Sequence, residues 1–361
     1  METNITIVSD PLLSEFGPTR PPMLTAEELV KRNFRVQIVS TKVARNVKHL
    51  LESKGISVLS VKEVTSVGNE SLDWLKSWLM EAALSKNSNN IPKITGAVLN
   101  FSNTIVVPSR CWYAQGPPTI TLKNIRETLD LHYKLIYILG SKYLEFLDRK
   151  ITKRFAKFSE IVVANSNYLK RVYTSLGVKV SEVIYPPLDC QSFYPKKSKS
   201  DFNYILTYFG KEMKLSVIKK LADFGIEIVI FGGKISTAPK WIMKHPKIHY
   251  FGRIDNEKLV QLYSNALFTA CPFLDEPFGY IPIESMACGT PVLTFNKQGP
   301  SETVIHEVTG WLAKTDEEFV DLAMLIWKNG CSSSMRKECA KRALLFDKER
   351  NVEKWISLLK E

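Results

Sequence analysis

The chain lacks any run approaching the roughly 20 consecutive apolar residues that a membrane-spanning helix needs, so no spanning segment is expected. Its opening residues, METNITIVSD, carry acids and a strand-like pattern where a secretory signal has a basic start and a long apolar stretch. A cytosolic protein is the expectation. The six cysteines, Cys111, Cys190, Cys271, Cys288, Cys331 and Cys339, form no C-x-x-C pair and stand at no metal-ligand spacing from a histidine, so they read as structural thiols. Histidine is scarce: among His49, His132, His245, His249 and His306 only His245 and His249 lie four apart, and Pro246 between them opposes a shared helix face. No Asp-x-Asp occurs, which leaves a metal-bridged diphosphate unsupported; neither a metal nor a resident cofactor is expected. Gly232-Gly233-Lys234 lacks the spacing of a nucleotide-triphosphate loop. No helix-turn-helix, zinc finger or aromatic-basic sheet motif is present, so nucleic acid is not the expected partner, although a basic non-enzymatic binding module remains the alternative that the charge allows.

What the chain does have is size, alternation and positive charge. At 361 residues it exceeds one ordinary core, and two domains are expected. Short apolar runs alternate with helical stretches in both halves: Ile5–Val8, a Gly17-bearing loop rich in proline, the helix Met23–Arg32, and strands at Arg35–Ser40, Ser53–Val61, Gly96–Leu99, Ile105–Val107 and Glu160–Val163. A helical block runs from about residue 125 to 158, and a second helix is read around Leu72–Leu84 with Trp74 and Trp78 four apart. The polar run KKSKSD (196–201) reads as a linker, after which strands at Tyr204–Phe209, Glu227–Phe231, His249–Phe251, Leu267–Ala270 and Pro291–Phe295 alternate with helices. The pattern predicts an α/β protein of two Rossmann-like domains facing each other across a cleft: residues 1–195, residues 196–340, and a C-terminal helix over 341–361 that packs back on the first domain.

The net charge of +12 suits nucleic acid, an anionic membrane surface or a phosphorylated substrate. Its densest stretch, SKYLEFLDRKITKRFAKF (141–158), places Lys142, Arg149, Lys150, Lys153, Arg154 and Lys157 among apolar residues at helical spacing. Either this basic amphipathic helix packs on its own domain, or it meets a membrane at the inner face.

The segment DEPFGYIPIESMACGTPVLTF (275–295) carries the most chemistry. Pro282 fits the first turn of a helix and Gly289 its C-terminal end, while Glu276 and Glu284 flank the start. Free amides at a helix start suit an anion or a hydroxyl-rich ligand, Gly279 permits close approach of that ligand, and carboxylates accept paired hydrogen bonds from vicinal hydroxyls. The spacing therefore suggests a nucleotide-sugar site, with one acid for the ribose and one for the hexose.

Read as E-x-F-G-x-x-x-x-E followed by M-A-C-G-T-P-V, this stretch resembles the signature of the retaining glycosyltransferases of the GT-B fold, the large glycosyltransferase group 1 (family four). The resemblance extends to VVANSNYLKRVYTSLGVKVSEVIYPPLDCQSFYP (162–195), YFGK (208–211), IHYFGRIDNEKLVQLYSNALFTACP (248–272) and SETVIHEVTGWLA (301–313), and thins before residue 162. It implies transfer of a hexose from a nucleoside-diphosphate donor to a glycan, lipid-linked glycan or protein-glycan hydroxyl. Within it Glu276 lies beside the donor hexose near the anomeric centre and Glu284 holds the ribose. Phe278, Gly279 and Tyr280 present main-chain amides, and Arg253 follows the base-binding strand. Lys211 takes the place of the family's diphosphate-binding Arg, with Lys214 as its partner, both offsetting charge on the leaving group. Gly17 approaches the phosphates from the first domain. Three features depart from the family pattern: the two lysines are three residues apart instead of five, which leaves Lys211, Lys214 and Lys219 as candidates; the first loop has one glycine followed by Pro18; and Gln115 stands where a histidine often does, so it orients a sugar and cannot shuttle a proton. A sugar-nucleotide epimerase of the same fold is the alternative enzyme.

Overall fold

The computed structural model describes residues 4–14, 17–64, 78, 94–126, 131–196, 202–233 and 238–360. Apart from Trp78, the helix expected over Leu72–Leu84 lies outside the described residues, as do Lys234 and all of the 196–201 linker except Lys196. The chain divides into two compact units, one made of Met1–Thr121, Leu135–Pro187 and Lys348–Glu361, the other of Leu122–Lys134 and Leu188–Asp347.

The first unit holds a seven-stranded parallel sheet in the order β3-β2-β1-β4-β5-β6-β7, formed by β1 (Asn4–Ser9), β2 (Arg35–Ala44), β3 (Ser57–Val64), β4 (Ala97–Asn100), β5 (Ser109–Ala114), β6 (Ser159–Ala164) and β7 (Glu182–Val183). Strands covered on both faces need continuous apolar runs, and the ITIV of β1, buried throughout, has that composition. Helix α1 (Arg20–Lys31) begins three residues earlier than the sequence pattern suggests. The reason is that Pro21 and Pro22 occupy its first turn, where the missing N–H costs nothing and the fixed φ is already helical. Helix α2 (Arg45–Ser53), not expected from the sequence, ends at Ser53, and β3 begins four residues later than the expected Ser53. The strand expected at Ile105–Val107 does not form. Those residues are apolar because Ile105 and Val107 pack on Val8 and Val98 and Val106 joins the core around Trp112, and the sheet strand follows Pro108 instead.

Helices α3 (Pro118–Asn124), α4 (Leu131–Lys157) and α5 (Asn167–Ser175) follow, with α4 placing Leu147, Ile151 and Phe155 in a core with Trp112 and Tyr173.

The second unit holds a six-stranded parallel sheet in the order β10-β9-β8-β11-β12-β13, built from β8 (Ile205–Tyr208), β9 (Ile228–Phe231), β10 (Ile248–Gly252), β11 (Thr269–Cys271), β12 (Val292–Phe295) and β13 (Gly310–Ala313). Between them run α6 (Leu215–Asp223), α7 (Lys240–Lys244), α8 (Asn256–Asn265), α9 (Tyr280–Ala287), α10 (Pro300–Thr303) and α11 (Asp316–Asn329), followed by α12 (Ser333–Ala343). Counted from its own first strand, this order is 3-2-1-4-5-6, so the winding reverses between β8 and β11. Ligands of doubly wound sheets bind outside the carboxyl ends of the strands at that reversal.

The last helix, α13 (Lys348–Lys360), returns to the first unit. Val352, Trp355, Ile356 and Leu358 join its core, where the Trp355 ring lies 5.1 Å from Phe101 and 5.2 Å from Tyr113. Lys31, Arg32 and Lys348 converge on the buried Glu28 carboxylate, at 2.7, 2.9 and 3.9 Å.

Candidate active site

The two loops that leave the carboxyl ends of β8 and β11 carry most of the expected site residues. The turn after β8 carries Lys211, exposed, and Glu212, partly buried; Lys214 follows at the start of α6. The loop after β11 carries Asp275, Glu276, Phe278 and Gly279, and ends in α9. Main-chain bonds tie the two loops together: Lys214 N donates to Pro272 O at 2.8 Å and Leu274 N to Glu212 O at 2.6 Å.

Gly279 caps α9 in the left-handed region at φ 104°, and a Cβ there would press on Pro282 and Pro300, so only glycine fits without strain. Glu276, partly buried, turns its carboxyl onto the start of this helix, where Oε1 accepts from Phe278 N at 3.2 Å and Gly279 N at 3.0 Å. Two of the three amides expected to face a donor are thus held by Glu276 in this structure. Burial, with the charges of Glu212 and Asp275 nearby, pushes the Glu276 carboxyl up to about 8, against the pull of those two amides. Glu212 is raised for the same reasons, burial first and Asp275 next, with Lys211 opposing. At neutral pH the Glu276 side chain is therefore mostly a neutral acid that can donate a hydrogen bond.

Glu284 is buried within the first turns of α9, and its Oε2 accepts from the fully buried Tyr263 hydroxyl at 3.0 Å. Phe278 is buried too, edge-on to Tyr280 at 5.6 Å and to Phe346 at 5.7 Å, so its ring anchors the loop. Of the candidate lysines, Lys214 reaches Asp316 at 2.6 Å, and Lys219 sits on the outer face of α6 with Asp223 at 2.8 Å. Arg253 is exposed and directly follows β10.

Gly17 and Gln115 belong to the first unit. Gly17 adopts φ 64° with open space where a Cβ would stand. Gln115, at the end of β5, commits its Nε2 to Phe101 O at 2.8 Å.

Several residues of the second unit join this group without having been expected from the sequence. Lys297 follows β12 beside Lys214; burial, and then that like charge, lower its pKa. Gln298, in the left-handed region at φ 57°, accepts from Glu276 N at 2.9 Å and donates to Leu274 O at 3.3 Å, while Gly299 N donates to Glu276 O at 3.0 Å. Tyr263 was part of an apolar helix pattern, and nothing local marks its hydroxyl as a partner for Glu284. The run Asn296-Lys297-Gln298-Gly299 after an apolar strand was the available signal, since polar residues at a strand's carboxyl end in such a sheet face the ligand side. Among the described residues, no group of three or more His, Cys, Asp or Glu is arranged to hold a metal ion, and no helix is long and apolar enough to cross a membrane.

Comparison with known proteins meets this geometry. Residues 215–345 match the family described as "Glycosyl transferases group 1". An uncharacterized glycosyltransferase of Methanocaldococcus jannaschii is 23% identical over 278 residues, 74% of this chain and 77% of that one. The O-antigen chain mannosyltransferase of Salmonella typhimurium is 26% identical over 53% of this chain and 54% of its own length. Among solved structures, sucrose-phosphate synthase from Thermosynechococcus elongatus superposes with a TM-score of 0.69 at 16% identity, covering 99% of this chain and 98% of that one. An Anabaena protein in complex with UDP and glucose gives 0.67 at 14% identity, covering 99% of both. Likeness at that level of identity speaks to the fold: two Rossmann-like domains, GT-B.

Proposed function

From the premise that this chain carries a group 1 glycosyltransferase domain in a GT-B fold, we propose that it moves a hexose, with retention, from a nucleoside-diphosphate sugar to a hydroxyl of a glycan or lipid-linked glycan. The observation that carries this reading is the meeting of two loops at the winding reversal of the second sheet: the acids Glu276 and Glu284 flank the start of α9, and the Lys211–Lys214 turn is bonded to the same loop.

Each residue has a chemical task in this reading. Glu284, fixed by Tyr263, accepts the vicinal hydroxyls of the ribose. Glu276 lies beside the hexose, where its carboxyl, lifted to about 8, can hydrogen-bond a sugar hydroxyl. When the sugar–oxygen bond breaks, negative charge builds on the departing diphosphate. Lys211 and Lys214 meet that charge without a metal, with Lys297 close to Lys214, and Arg253 lies toward the base. The mannosyltransferase relative supports a hexose donor. Six cysteines without a disulfide suit a reducing, cytoplasmic compartment.

The test is transfer measured with a panel of sugar nucleotides and glycan acceptors, with the anomeric configuration of the product read by NMR. Glu276→Ala and Glu284→Ala each reduce turnover about a hundred- to a thousandfold, the scale of losing a group that stabilises the transition state, with circular dichroism matching the wild type. Full activity in both variants overturns the assignment. An inverted product overturns the stereochemistry alone.

A further inference from the structure

Helix α4 has two faces, and the first unit's core uses only one. At about 100° per residue, Leu147, Asp148, Ile151, Thr152 and Phe155 span an arc of about 140°, and all five are buried. The opposite arc, also about 140° wide, holds Leu135, Ile138, Leu139, Tyr143 and Phe146, all exposed; Leu139 is 87% exposed, Tyr143 65% and Phe146 62%. Further along the helix the same arc holds Arg149, Lys150, Lys153 and Lys157, with Lys142 among the apolar residues, and these cations are exposed as well. It contains no acid: Glu145 falls just outside it and Asp148 lies on the buried face.

An apolar stripe continued by cations on one outward face is costly to leave in water and fits a particular kind of surface. We propose that this face of α4 docks the protein on an anionic lipid bilayer. Leu135, Ile138, Leu139, Tyr143 and Phe146 enter the boundary between headgroups and acyl chains, and Lys142, Arg149, Lys150, Lys153 and Lys157 pair with lipid phosphates. From Leu135 to Lys157 the helix extends about 33 Å, and because its buried face points directly away, it can lie flat on the bilayer without disturbing the core. Charge complementarity favours a negatively charged occupant. The apolar residues favour lipid over nucleic acid, whose phosphates offer no place for Leu139 or Phe146.

The experiment is co-sedimentation of the full chain with vesicles of equal parts phosphatidylglycerol and phosphatidylcholine, and with vesicles of phosphatidylcholine alone, at low and at physiological salt. The protein is expected to pellet with the anionic vesicles, less so at higher salt, and to stay in solution with the zwitterionic ones. Each lysine near an anionic surface is worth about fivefold in partitioning, so the double variant Lys150→Glu/Lys153→Glu lowers binding about 25-fold or more. Leu139→Ser/Phe146→Ser lowers it at least about tenfold, while unfolding midpoints and circular dichroism match the wild type in both. Failure to pellet at low salt overturns the proposal. So does undiminished binding by the Leu139→Ser/Phe146→Ser variant, which would make the attraction purely ionic. A dimer in sedimentation velocity that this variant dissolves would assign the face to a second copy of the chain.

Discussion

In the proposed donor site, Glu276 is the acid placed beside the hexose. Its carboxyl is raised from an ordinary 4.5 to about 8 by burial and by the charges of Glu212 and Asp275. A raised folded-state value means that the group's contribution to stability is fully present below about 4.5 and is lost as pH climbs through about 8. Binding follows the same sign. Above about 8 the site gains a negative charge that opposes a diphosphate, so affinity for nucleoside diphosphate should fall about tenfold from about pH 7 to about pH 9. Calorimetric titration across that range is the measurement. Glu276→Gln should flatten the profile, and an unchanged slope in that variant would place the titrating group elsewhere. Holding this acid in place requires its neighbours: Gln298 accepts from its amide while the amides of Phe278 and Gly279 bind its carboxyl.

At the scale of elements, α13 matters most for integrity. It is the last helix in the chain, yet it completes the first unit's core. Trp355 is 1% exposed and packs tilted against Phe101 and edge-on to Tyr113. Trp355→Ala removes that ring and leaves a cavity, and is expected to cost about 3–5 kcal/mol in denaturant unfolding. A loss below about 1 kcal/mol would mean that α13 is dispensable to the fold. The element also explains why Glu28 is tolerated in a buried position: Lys348, brought by α13, shares it with Lys31 and Arg32.

For the whole molecule, ligand linkage is the broadest check. A ligand that binds only the folded chain stabilises it by about 2.7 kcal/mol at one hundred times its dissociation constant. Screening uridine, guanosine and adenosine diphosphates, with and without sugar, should raise the unfolding temperature by several degrees for one nucleotide family, and Glu284→Ala should remove that rise. A uniform response to all three bases, or none, would count against a donor site held by Glu284.

The sequence alone determined the alternation of strand and helix, because the apolar runs of parallel strands and the 3.6-residue stripes of helices are local patterns. It also located the acids flanking α9, since Glu276, Gly279, Pro282, Glu284 and Gly289 all lie within one short segment. Its errors at Ile105–Val107 and at the start of α1 share one cause: apolar residues that pack without joining a ladder, and prolines that begin a helix, look locally like a strand and a loop. What only the tertiary structure decided was partnership between distant segments. Tyr263 with Glu284, Gln298 with Glu276, Lys214 with Asp316 and α13 with the first core are all pairings at long sequence separation. So is the outward aim of Leu139 and Phe146, because which of two apolar faces of α4 is buried depends on what the rest of the chain brings to it.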